Sequence, residues 1–119
     1  MTGNAILNQA LGLLGYAENN GNTQLTQRVQ QKALPIVNLV YSDIKRMCGV
    51  DEKPLESLMD EIKTPDKANE VFVCGVASYI AATEGDDSNQ AFWGVEYATR
   101  KTTLTRITEI KDSIPVPEY

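Results

Sequence analysis

Apolar residues recur every three or four positions through two stretches of this chain, and a third stretch is apolar on every side. Ile6, Leu7, Ala10, Leu11 and Leu14 form the first stripe, the spacing of a helix face turned toward a core. It predicts a helix over Asn4–Leu14, started by Thr2 or Asn4 as cap and stopped by Gly15 in the left-handed position. Tyr16 to Asn22 (YAENNGN) reads as a loop, because Asn and Gly favour turns. Leu25, Val29, Ala33, Ile36, Val40, Ile44 and Met47 then step at helical spacing, predicting a long second helix over Gln24–Cys48 that ends at Gly49. Pro35 falls inside it, removing one backbone donor and clashing with the preceding turn. The stripe keeps its phase across Pro35, so the expectation is a kinked helix, or two helices meeting at a bend.

The third stretch, Val71 to Thr83 (VFVCGVASYIAAT), carries no charge and is bracketed by Glu70 and Glu84. A helix apolar all round is wrapped by other helices. The central helix is therefore predicted over Pro65–Glu84 with Thr64 as cap, Pro65 at the first helical position and Gly85 as stop. Phe72, Val76, Tyr79 and Ile80 are its expected core residues. Asp87 and Gln90 have capping-box spacing, which starts the last helix near Ser88. Its end is less well marked: four threonines between Thr102 and Thr108 lower helix propensity, and Thr102–Ile110 suits extended chain equally. Ile114-Pro115-Val116-Pro117 is incompatible with a helix. The segment Ile107–Tyr119 is predicted to be an extended tail that packs on another subunit or partner. Between Val50 and Thr64, Leu55, Leu58, Met59 and Ile62 suit one short helix beneath the acids Asp51, Glu52, Glu56, Asp60 and Glu61.

The fold class expected from this pattern is all-α: one domain over residues 1–119, a small bundle of four to five helices with the buried central helix in a C-terminal hairpin. A chain of 119 residues suits one core that buries roughly two-thirds of the unfolded surface. Net charge is −5 and the pI is near 4.6, a balance opposed to generic binding of a phosphate backbone. No Lys or Arg occurs in the first seventeen residues, so no secretory n-region is expected. The thirteen-residue uncharged run is shorter than the roughly 20 residues that span a bilayer, and no membrane contact is expected.

Chemistry is sparse. Histidine is absent, which removes the commonest general base and zinc ligand. No serine lies in a Gly-x-Ser-x-Gly elbow and no Gly-rich phosphate loop occurs. No catalytic residue, metal site or cofactor is predicted, and the chain is read as a non-enzyme. Cys48 and Cys74 lack metal-ligand spacing and are expected to be free thiols in a helical core. Glu84, Asp86 and Asp87 read as an interhelical turn with Asp87 as cap, since Ala91 and Tyr97 stand where an EF-hand needs Gly and Glu. Arg100, Lys101, Arg106 and Lys111 form a basic stretch with two readings, a solvated helix face or a docking strip for the acidic surface of a partner or a second copy. Trp93 and Tyr97 lie one turn apart beside a stripe of Ala91, Val95 and Ala98 that reads as more clearly buried. Aromatic pairs of this kind are usually core, and interface hot spots where exposed. Trp93, Tyr97, Arg100, Lys101 and Arg106 are thus the interface candidates.

The segment Ala77–Lys101, ASYIAATEGDDSNQAFWGVEYATRK, resembles the C-terminal hairpin of head–tail connector (adaptor) proteins of tailed bacteriophages. There a small-residue helix ends in a Gly-Asp turn, and an aromatic-rich helix carries a Tyr followed by basic residues. Ala77, Ala81 and Ala82, then Gly85-Asp86-Asp87, then Phe92, Tyr97, Arg100 and Lys101 occupy the matching positions. ALGLLGY from Ala10 and LPIVNLVYSDI from Leu34 agree with the family's opening. The resemblance implies a structural virion protein at the head–tail junction, present in the host cytoplasm during assembly. It implies a ring of about a dozen copies closed by contacts between unlike faces. Its partners would be other copies, the phage portal and a tail or head-completion protein, with DNA only passing through. A soluble helical adaptor acting by protein–protein contact is the alternative. A small enzyme using Glu84 and Asp87 would need a raised carboxylate pKa in a pocket.

Overall fold

A computed structural model describes residues 1–16 and 23–113, with side chains described for 1–16 and 27–104. It contains four α-helices: α1 (Gly3–Leu14), α2 (Thr23–Cys48), α3 (Asn69–Thr83) and α4 (Asp87–Ser113), with a 3-10 turn at Asp66–Ala68 before α3. No strand occurs among the described residues, so the fold is all-helical.

Helix α3 is the centre. It packs on α1, α2 and α4, most extensively on α4. Nine of its residues are buried, and Phe72, Val76 and Ala77 are fully enclosed. Each large apolar side chain removed from water contributes roughly 1.5–3 kcal/mol, which explains why the charge-free run takes this position. Tyr79 differs from expectation: it is 38% exposed, whereas Gly75, one turn before it, lies at a close crossing. A Cβ on Gly75 would lie 2.8 Å from both the Tyr97 ring and Val40 Cγ1. The missing side chain is what lets α2 and α4 approach α3 together.

Helix α1 starts as expected, with Ala5 N–H donating to Thr2 Oγ1 at 3.1 Å. Gly15 takes the left-handed conformation at its end (φ 77°). Helix α2 buries Val29, Ala33, Ile36, Val37, Val40, Tyr41 and Ile44. It runs as one helix through Pro35, so the alternative of two helices meeting at a bend is set aside. Pro35 and Gln31 are exposed, and the carbonyl that the proline leaves unpaired is on the wet side, where water satisfies it.

Three boundaries differ from the sequence reading. Residues 50–64 form no helix. Asn38 fixes this segment instead, donating from Nδ2 to Leu55 O at 2.9 Å and accepting from Leu55 N–H at 2.8 Å. Leu55 and Ile62 are buried, while Met59 is 69% exposed. The carbonyls of Leu58 and Asp60 accept the Asn4 and Gly3 N–H groups at 2.7 and 3.2 Å, so the loop satisfies donors that the first turn of α1 leaves open. Next, the cap expected of Thr64 is absent: Pro65 precedes the 3-10 turn without a side-chain cap, and Thr64 is buried with an unpartnered Oγ1. Finally, α4 continues to Ser113. The tail expected to be extended from Ile107 is therefore helical over 107–113, and its remainder, 114–119, lies outside the described residues. Arg100, Lys101, Leu104 and Arg106 are good helix formers and outweigh the threonines' weaker propensity.

Candidate functional site

The five interface candidates separate into two groups. Tyr97 is buried. Its hydroxyl donates to Asp43 Oδ2 at 3.0 Å, and Lys101 Nζ donates to the same oxygen at 3.1 Å. Arg46 pairs with the other Asp43 oxygen from one turn away. The Lys101 ammonium also stands 5.2 Å from the Tyr97 ring centre. Asp43 thus ties α2 to α4. Arg100 is engaged as well, pairing with Glu96 at 3.2 Å on its own helix and with Glu70 on α3. Arg100 and Lys101 thus pair with carboxylates of their own chain on α2, α3 and α4, which neither reading of the basic stretch included. The side chain of Arg106 lies outside the described residues.

Burial, the hydrogen bond to Asp43 and the nearby carboxylate push the Tyr97 phenol well above its ordinary value. Burial alone would raise the Asp43 carboxyl, but hydrogen bonds from Lys101 and Tyr97 more than reverse this and hold it below its ordinary value. A carboxyl depressed in the folded state adds stability that is complete above its unfolded value and lost as pH falls through the folded one. Asp43→Asn is expected to cost roughly 1–3 kcal/mol at neutral pH. Urea midpoints of the two proteins should then draw together only as pH falls below the ordinary carboxylate range. A gap that persists unchanged in acid would take the Asp43 charge out of this account.

Trp93 behaves differently. It is half-buried, packs edge-on against Phe92 with centroids 4.7 Å apart, and stands at a groove between α1, α3 and α4. Gly12, Leu13, Val73 and Cys74 line the apolar part of this groove and Gln9, Asp66, Asn69, Glu70 and Arg100 its polar part, around about 630 Å³. The helical phase beside it is the reverse of the sequence reading. Ala91, Val95 and Ala98 are exposed, as is Phe92, while Tyr97 is buried. Small residues fit a buried seam or a wet face equally well, so composition alone leaves the phase of α4 open. The usable signal was Asp43, a charge within the apolar run of α2, with Tyr97 and Lys101 four residues apart to receive it.

The acidic turn is structural. Gly85 is left-handed (φ 69°). Asp86, rather than the expected Asp87, caps α4: its Oδ1 accepts from the Asn89 backbone N–H at 3.4 Å, while its Oδ2 accepts from Asn89 Nδ2 and from the Tyr16 hydroxyl, each at 2.7 Å. Glu84 pairs with Arg28 at 2.9 Å. No group of three or more His, Cys, Asp or Glu able to hold a metal occurs among the described residues. Cys48 and Cys74 are free, and burial raises both thiols above their ordinary value. None of the helices over the described residues is long and apolar enough to cross a membrane. No family model, curated protein or solved structure matches this chain.

Proposed function

We propose that the chain is a head–tail connector of a tailed bacteriophage, forming a ring between portal and tail through which DNA passes. The observation that carries the reading is the α3/α4 hairpin, whose sequence has the connector pattern and whose outer helix leaves large apolar side chains in water. Phe92 is 57% and Val95 65% exposed on α4, beyond what a helix resting on an enclosed partner needs. A second exposed apolar set, Leu39 and Met59 at 52% and 69%, lies on α2 and the loop after it. Two unlike apolar surfaces on one chain suit heterologous contacts, which close into a ring when the rotation per copy divides the circle. The exposed acids Asp51, Glu52, Glu56, Asp60 and Glu61 would repel phosphates and let a duplex slide.

The test is addition of the full chain to purified portal, or to tail-less capsids of the phage that encodes it. Saturable binding of about a dozen copies is expected. Phe92→Ser with Val95→Ser, both at exposed positions, should leave helicity intact and weaken binding about tenfold or more. Folded protein that fails to bind at micromolar concentration would move the assignment to a soluble helical adaptor.

A further inference from the structure

We infer that the groove between α1, α3 and α4 receives the segment Ile114–Tyr119 of a second copy of this chain. The groove's volume, about 630 Å³, is in the range that encloses several side chains. Its apolar wall is unfilled by the described residues: Leu13 at its lip is 41% exposed, and Trp93 presents an aromatic face beside it. The segment Ile-Pro-Val-Pro-Glu-Tyr has matching chemistry. Its two prolines restrict their predecessors to extended backbone. Such segments dock in aromatic-lined grooves with little ordering cost.

Covalent reach decides whose segment it is. At about 1.5 Å per residue, Ser113 lies roughly 30 Å along α4 from Trp93. Six fully extended residues span only about 20 Å. Even if the chain reverses at once after α4, Tyr119 reaches no further than the Arg100 edge of its own groove, roughly 20 Å along α4 from Ser113, and falls short of Trp93. A neighbouring copy has no such restriction. Donor segment and acceptor groove are unlike surfaces, so the contact is heterologous. The inference names a contact between copies and does not rest on the connector reading, since it requires no portal.

Trp93 is the sole tryptophan and reports directly on the groove. The probe is a synthetic peptide of residues 111–119, titrated into the full-length chain while indole emission is followed. A saturable blue shift is expected, half-complete between about 10 μM and about 1 mM. Val116→Asp in the peptide, or Leu13→Asp in the chain with its helicity intact, should each weaken binding about tenfold or more. Absence of a saturable shift, or equal binding by the Val116→Asp peptide, overturns the inference. So does a shift in the chain alone that Val116→Asp abolishes but dilution does not, which would place the segment in its own groove. A shift produced by portal and not by the peptide would give the groove to that partner, overturning this inference while upholding the connector reading.

Discussion

Phe72→Ala is expected to lower stability by about 3–5 kcal/mol, the range for emptying a fully enclosed aromatic site. Phe72, in the first turn of α3, is 0% exposed, and its ring stacks on Tyr41 with centroids 5.7 Å apart. Tyr41 is 1% exposed, and its hydroxyl accepts from Lys63 N–H at 3.0 Å. The loss therefore extends past one cavity: Tyr41 loses a packing partner on one side while anchoring the loop on the other. Against a total of about 5–15 kcal/mol for a domain of this kind, that loss removes between about a fifth and all of the folding free energy. Urea unfolding followed by circular dichroism would show it as a lower midpoint with the slope preserved. A loss below about 1 kcal/mol would contradict the central place of α3.

Gly75→Ala should destabilise by about 1–3 kcal/mol, although the same change in an open helix gains up to about 1 kcal/mol. The added methyl would stand 2.8 Å from Val40 Cγ1 and from the Tyr97 ring. Neither neighbour yields readily: Val40 is β-branched and 0% exposed, and Tyr97 is held by its hydrogen bond to Asp43. Gly75→Leu has no room at all and is expected to prevent folding. Gly12 is the control, since nothing lies within 4 Å of a Cβ built there. Gly12→Ala should be neutral or stabilising by up to about 1 kcal/mol. Thermal midpoints of Gly75→Ala and Gly12→Ala would then move in opposite directions. If Gly75→Ala rises together with Gly12→Ala, the three-helix crossing at Gly75 is wrong.

Where the hydrophobic pattern was strong, it located the elements. The stripe from Val29 to Ile44 and the charge-free run after Glu70 both became buried helices. The stops at Gly15, Gly49 and Gly85 all proved left-handed, a conformation that only glycine adopts without cost. The pattern misled where apolar residues were anchored without being helical. Leu55 and Ile62 are buried, but by an irregular segment that Asn38 and Tyr41 hold by hydrogen bonds. Such bonds join residues 17 and 22 positions apart, and no periodicity records them. The interface candidates illustrate the same point. Tyr97, Arg100 and Lys101 were visible as chemistry, yet their partners Asp43 and Glu70 lie on other helices.

The sequence by itself determined the all-helical class and the enclosure of α3, because these follow from local spacing and from the energy of removing apolar surface from water. It also determined the absence of histidine chemistry, a matter of composition. Tertiary structure alone decided which side of α4 meets water, since alanine, glycine and valine on that helix are compatible with either side. It decided too that Arg100 and Lys101 bind their own chain, and that Phe92, Val95 and the Trp93 groove remain on the surface. Charges and aromatic rings take their roles from what stands a few ångströms away in space, and that neighbour is set by how α2, α3 and α4 cross at Gly75.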